Sequence, residues 1–164
     1  MPEKKTLERA RRDRRQGKST STQAGEFVRE EIHHIRDGKH GARSTKQAIA
    51  IGLSKARRSG VDLPPPRAGR TSESTRQHAV KDRAAGRHPH TPSRRRSQAT
   101  TNALRHEGRA AASHTALVRQ GHASAMSRTA TERSAAARRA SRTKGPEERS
   151  EAARKAARTR ARHH

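Results

Sequence analysis

The sequence has no cysteine, no tryptophan and no tyrosine, and its single phenylalanine is Phe27. Without cysteine the chain can form no disulfide, perform no thiol chemistry and build no cysteine-based zinc site. The near absence of aromatic side chains also leaves almost nothing on which unpaired bases could stack. This argues against single-strand binders of the OB or RRM type.

Large apolar side chains are scarce as well. Leu, Ile, Val, Met and Phe supply sixteen of the 164 residues, whereas alanine alone supplies 28. A highly charged chain with so few such residues is usually disordered, and a globular enzyme of this length would bury far more of them. We therefore expect neither a single-core domain nor an enzyme, and we predict no catalytic residues and no cofactor.

No stretch of the sequence approaches the ~18 consecutive apolar residues that span a bilayer. Residues 1–17 are charged where a signal peptide needs an apolar stretch. We therefore expect a soluble cytoplasmic protein with no membrane partner.

Positive charge is abundant, and it is unevenly distributed. Lys and Arg number 40 against 15 Asp and Glu, a net charge of +25. The net charge is +5 over residues 1–22, +3 over 23–66 and +17 over 67–164. Nine of the sixteen large apolar residues lie between Phe27 and Leu63. This predicts a basic disordered arm (1–22), a packed module (23–63), a Pro/Arg/Ser-rich linker (64–100) and an Ala/Arg-rich tail (101–164).

The packed module has helical periodicity. Val28, Ile32 and Ile35 follow the i, i+4, i+7 spacing of one helix face, which predicts a helix over about 23–36. A capping-box pattern at Ser44 starts a second helix, which Gly60 ends. The fold class is therefore mostly α, a helical hairpin over about 23–60. The predicted hairpin core is Phe27, Val28, Ile32, Ile35, Ile49 and Leu53.

So small a hairpin buries little surface, which favours a homodimer formed through it. The flanking segments are predicted to be largely disordered. In the tail, Pro146 followed by Glu147 and Glu148 is typical of a helix start, and the arginines lie towards the end. We expect such alanine- and arginine-rich helices to form when the tail binds a polyanion.

The net charge favours a nucleic acid as the principal partner, with duplex DNA ahead of RNA. Glycines and cations in the loop 38–43, followed by a capped helix, are typical of an anion site, and an ordinary solvated turn explains the same pattern slightly better. An RNA- or ribosome-associated protein, or a hairpin that docks an acidic protein, are the other functions this composition allows. The predicted phosphate-binding residues are Lys39, His40, Gly41, Arg43, Ser44, Thr45, Lys46, Arg57, Arg58, Arg94, Arg95, Arg96, Arg138, Arg139, Arg154, Lys155 and Arg158.

The sequence has eleven histidines, which are possible metal ligands. However, no pair of histidines on a helix face has acidic residues nearby in the sequence that could serve as further ligands, and cysteine thiols are absent. We therefore predict no metal and treat the histidines as additional donors. The acid–base cluster Glu30, Glu31, His33 and His34 is expected on a solvated helix face without a pocket.

Residues 25–32 and 38–61 resemble a bacterial family of small basic proteins described only as DNA-binding or of unknown function. The specific part is Lys-Gln-Ala-Ile-Ala-Ile-Gly-Leu-Ser at 46–54. The resemblance implies a bacterial or phage setting and a nucleic-acid role, and it carries no catalytic residues. The tail is similar in composition to bacterial histone-H1-like tails. Together these lead us to expect a histone-like, nucleoid-associated protein that binds DNA without base specificity.

Overall fold

The computed structural model describes residues 2–88, 93–143 and 145–162. Every regular element within them is helical, so the expected mostly-α class is confirmed. The chain forms two compact units, Met1–Gln120 and Gly121–His164. The helices are α1 (Lys4–Arg15), α2 (Thr20–Arg36), α3 (Thr45–Arg58), α4 (Glu73–Arg87), α5 (Arg94–Arg105), α6 (His114–Met126), α7 (Ala130–Thr143) and α8 (Pro146–Ala161), with a 3-10 turn at Ala110–Ala112.

The predicted hairpin is α2 and α3, the most closely packed helix pair among the described residues. The first helix begins at Thr20, three residues before the predicted start, and is followed by Gly38 with φ 75°. The Ser44 hydroxyl caps α3 by accepting the N–H of Gln47 at 3.2 Å. Gly60, with φ 88°, follows its last turn, so the second helix ends where the sequence predicts.

Two small cores hold the first unit. Phe27 and Ile35 are fully buried, and Ile32 is nearly so, whereas Val28, Ile49 and Leu53 are partly buried. The first core contains Ile32, Ile35, Ala42, Ala48, Ala111 and Ala112, with Val28 and Leu117 against it. The second contains Ala10, Ala24, Phe27, Ala56 and Val61, with Leu7, Leu53 and Leu63 against it.

The prediction of a disordered arm at 1–22 is wrong, because α1 forms there and packs along α2. Leu7 and Ala10 reach the core around Phe27. Arg9 Nε lies 2.6 Å from Glu26 Oε2 and ties the two helices together. The buried face of α1 consists largely of small residues, which a count of large apolar side chains does not register.

The predicted disorder of the linker at 64–100 is also wrong, since it contains α4 and the start of α5. The helix α4 packs on α3. The contact is close at Gly86, where an added β-carbon would lie 2.0 Å from the Arg57 carbonyl oxygen. Residues 89–92 of this segment, like His163 and His164 of the tail, lie outside the described residues.

The predicted disorder of the tail is wrong as well, because α6, α7 and α8 form there. Gly145 is the N-cap of α8, Pro146 stands in its first turn with Glu147 and Glu148, and Arg158 is in its last turn, as the sequence predicts. The complement between these charges and the helix dipole stabilises α8 even though none of its residues is buried.

The apolar stripe of the hairpin is covered within the chain, by α1 on one core and by Ala111, Ala112 and Leu117 on the other. A homodimer stays a prediction, but covering this stripe no longer requires one. None of the described helices is long and apolar enough to cross a membrane.

Candidate functional site

The α2–α3 loop, predicted to bind an anion, packs against residues 104–108. The Gly41 N–H donates to the Leu104 carbonyl at 2.8 Å, and the Ala42 N–H donates to the Gly108 carbonyl at 3.0 Å. A β-carbon at Gly41 would lie 1.8 Å from the Glu107 carbonyl oxygen. The loop glycine therefore serves a close backbone contact, and these two amides already have acceptors.

The side chains of the same loop divide into engaged and exposed groups. Thr45 is buried and donates its hydroxyl to the Ala111 carbonyl at 2.7 Å, and His40 is mostly buried. Lys39 Nζ donates to Glu3 Oε1 at 2.9 Å. Arg43 and Lys46 are exposed and remain accessible to a phosphate.

Arg57 and Arg58 have opposite environments despite being adjacent. Arg57 is 7% exposed, and its guanidinium donates to the carbonyls of Leu63 and Pro64, both at 3.2 Å. Burial lowers the pKa of Arg57, with the charge of Asp82 acting in the opposite direction. A phosphate cannot reach this guanidinium in the structure, so Arg57 leaves the predicted phosphate-binding set, whereas Arg58 is exposed.

The remaining predicted cations lie on exposed helix faces. Arg94, Arg95 and Arg96 form the first turn of α5, which has no acidic residue in that turn and no side-chain cap from Ser93. In the second unit the predicted phosphate-binding residues are all exposed. They are Arg138 and Arg139 on α7 and Arg154, Lys155 and Arg158 on α8.

A buried polar cluster forms at the C-terminal half of α2, and the prediction of a solvated face is wrong there. Glu31 is fully buried and Glu30 is 4% exposed, whereas His33 is exposed as expected. Lys55 Nζ of α3 donates to Glu31 Oε2, and His40 Nε2 lies 3.3 Å from Glu31 Oε1.

The N-terminal end of α1 closes this cluster. The Glu3 N–H donates to Glu30 Oε2 at 3.2 Å, and His34 Nε2 lies 2.8 Å from Glu3 Oε1. The hydrogen bonds from His34 and Lys39 lower the pKa of Glu3 to about 2, and the same contact raises the pKa of Lys39. The cluster thus joins α1, α2, α3 and the connecting loop.

One sequence signal could have found the buried carboxylate. Glu31 lies four residues from both Phe27 and Ile35, so the same i, i+4 register that predicts the core places Glu31 in it. Its partners Lys55 and His40 lie 24 and 9 residues further along the chain, and only the folded hairpin brings them together.

Residues 3–67 match the model of a family of unknown function (DUF6496). The match spans α1 to α3 and the whole buried cluster, and it ends before α4. No curated protein matches the sequence, and no solved structure matches the fold.

Proposed function

We propose that this protein binds double-stranded DNA without base specificity, in the manner of a histone-like, nucleoid-associated protein. The exposed arginines and lysines of α5, α7 and α8 would neutralise backbone phosphates. One observation carries the proposal: residues 121–164 contain twelve Lys and Arg against four Glu, and none of the residues described there is buried. The described side chains of this segment therefore lie at the surface, where its positive charge is accessible.

The arrangement of charge on α8 supports this reading. Arg154 and Arg158 are four residues apart and share one face of α8, and Arg162 follows at the same spacing as the C-cap residue. Like charges at this spacing destabilise a helix by a few tenths of a kcal/mol per pair. A row of phosphates would remove that repulsion and release counterions from the nucleic acid.

The first turn of α5 has a similar arrangement. Three arginines stand at the positive end of the helix dipole, where acidic residues are normally favoured and none is present. Repulsion between these cations and the dipole is relieved when an anion binds there. Guanidinium groups hold phosphate oxygens bidentately and can enter a narrow minor groove.

Duplex DNA is favoured over single strands because the protein exposes no Phe, Tyr or Trp side chain on which unpaired bases could stack. Its one phenylalanine, Phe27, is fully buried, and the sequence has no Trp or Tyr. Stacking on aromatic rings supplies much of the affinity for unpaired bases.

The test compares two variants of the full chain by fluorescence anisotropy on a labelled duplex. Replacing Arg154, Lys155 and Arg158 by Gln should weaken binding and make the slope of log K against log salt less negative by about 2–3. A matched control, R154K/R158K, keeps the charge and should retain the slope. Unchanged binding by the Gln variant would exclude α8 as the contact.

The same titration distinguishes the partner. A structured RNA and an acidic protein replace the duplex in parallel series at equal salt. Tighter binding to the RNA would transfer the proposal to an RNA- or ribosome-associated role. Tighter binding to the acidic protein, unaffected by the α8 substitutions, would favour a docking role for the hairpin.

A further inference from the structure

Three side chains with metal-binding donor atoms converge beside the α2–α3 loop. Donor atoms of Glu31, His34 and His40 all lie within 4.8 Å of one another. Glu31 and His34 are three residues apart on α2 and therefore share a face. His40 returns to this face because its loop is fixed through the amides of Gly41 and Ala42.

The hydrogen bonding of His40 leaves its other ring nitrogen close to the Glu31 carboxylate. His40 Nδ1 lies 3.0 Å from the Gly41 carbonyl oxygen, which can only accept, so Nδ1 carries a proton. In the neutral ring Nε2 then has a lone pair, and it faces Glu31 Oε1 at 3.3 Å. Two lone pairs repel each other at this distance unless a cation or a proton lies between them.

Two buried carboxylate oxygens would also be stabilised by a cation at this position. The buried side-chain atoms without a hydrogen-bond partner, among the described residues, include Glu31 Oε1 and Glu30 Oε1. The 3.3 Å contact with His40 does not have hydrogen-bond geometry, and Glu30 Oε1 lies 4.0 Å from His34 Nε2. A buried carboxylate oxygen without a partner is costly, and a bound cation would satisfy it.

The groups around the cluster resemble those that orient metal ligands. A ligating histidine usually donates its other N–H to a carbonyl or carboxylate, as His40 Nδ1 does to Gly41. Ligating carboxylates are in turn hydrogen-bonded, as Glu31 Oε2 is by Lys55. These contacts hold His40 Nε2 and Glu31 Oε1 3.3 Å apart.

We propose that Glu31, His34 and His40 bind a divalent first-row transition-metal ion, with the Glu30 carboxylate as a fourth donor. Two imidazoles and a carboxylate suit ions of the zinc class, whereas Mg²⁺ and Ca²⁺ prefer oxygen ligands alone. Tetrahedral zinc with ligand bonds near 2.0–2.1 Å places neighbouring donors about 3.3 Å apart. The His40–Glu31 pair already has this spacing.

The charges that face the cluster are compatible with a divalent cation. Three carboxylates (Glu3, Glu30 and Glu31) surround it, with two ammonium groups, Lys39 and Lys55. With neutral histidines the net charge of these five groups is −1.

Binding requires His34 Nε2 to give up its contact with Glu3 Oε1 and to bind the metal instead. The ion would fasten α2 to the loop that follows it, a structural role independent of nucleic-acid binding.

The test uses the full chain, stripped of metal by a chelator and titrated with Zn²⁺ near neutral pH by calorimetry. We expect one saturable equivalent that raises the melting temperature. His40→Gln should weaken it by at least about tenfold. His33→Gln is the matched control, because His33 is exposed on the same helix, and it should leave the affinity unchanged.

A second measurement on the unaltered chain covers the case in which His40→Gln fails to fold. Long-range ¹H–¹⁵N spectra of the imidazoles should show Zn²⁺ shifting Nε2 of His34 and His40, and no such shift at His33. The proposal is overturned if no saturable binding occurs, if the bound Zn²⁺ shifts only other histidines, or if folded His40→Gln and His34→Gln bind as tightly as the parent. In those cases the cluster is a structural network of histidines and carboxylates.

Discussion

Gly52 of α3 lies so close to Val28 of α2 that a β-carbon at position 52 would come within 2.6 Å of the Val28 Cα. The contact is with backbone, so a side chain there cannot be accommodated by a rotamer change. Gly52→Ala should separate the helices and lower the free energy of unfolding by about 1–3 kcal/mol, measured by urea denaturation.

Gly25→Ala provides the control for that substitution. Gly25 lies inside α2, and nothing would contact a β-carbon added to it within 4 Å. Alanine there should raise stability by up to about 1 kcal/mol through helix propensity alone. Equal effects of the two substitutions would contradict the close approach of α2 and α3.

Gly41→Ala tests the docking of the α2–α3 loop on residues 104–108. A new β-carbon would overlap the Glu107 carbonyl, so the amide bonds of Gly41 and Ala42 should open. We expect faster hydrogen exchange at Ala42 and a loss of about 1–3 kcal/mol of stability. Gly108→Ala, where the added carbon meets open space, should change neither quantity appreciably.

Arg57 and Arg58 should respond differently to the same substitution. Arg57→Gln removes charged hydrogen bonds to two backbone carbonyls and should cost about 1.5–3 kcal/mol of stability. Arg58→Gln should change stability by less than about 0.5 kcal/mol, because Arg58 is exposed. A larger stability loss at Arg58 than at Arg57 in thermal melts would contradict the structural role of Arg57.

Asp62 links the segment after α3 to α4. Its carboxylate accepts a hydrogen bond from Arg83 Nε at 2.7 Å, and Arg87 lies 3.7 Å away. The Arg83 hydrogen bond lowers the pKa of Asp62, so the pair stabilises the folded chain at neutral pH and this contribution is lost as the pH falls below about 4.

An NMR titration of the Asp62 carboxyl group should give a midpoint below the ordinary value for aspartate. Arg83→Met should return the midpoint towards that value, and Asp62→Asn should reduce the dependence of the melting temperature on acid pH. A midpoint unaffected by Arg83→Met would show that the ion pair does not form in solution.

The helical hairpin could be predicted from sequence because its signals are local. Ser44 and Gln47 cap α3, and the glycines at 38 and 60 end the two helices. The helix α1 could not be predicted in the same way, since Thr6, Ala10 and Asp13 form its buried face and none of them is a large apolar residue. This face of α1 packs because Phe27 and Ala24 of α2 contact it.

The partners of the buried Glu31 carboxylate could not be predicted, for a different reason. Glutamate is almost never fully buried unless it is paired. The pairing of Glu31 with Lys55 and His40 depends on the antiparallel register of α2 and α3. The docking of the α2–α3 loop could not be predicted either, because residues 104–108, which accept from the amides of Gly41 and Ala42, come from a distant part of the chain.

The proposed binding of duplex DNA through phosphate neutralisation is tested most directly by the salt dependence of affinity for the full chain. The account predicts a linear fall of log K with log salt, and a loss of about a thousandfold or more between about 50 and about 200 mM salt. Duplex affinity that stays nearly constant over this range would contradict it.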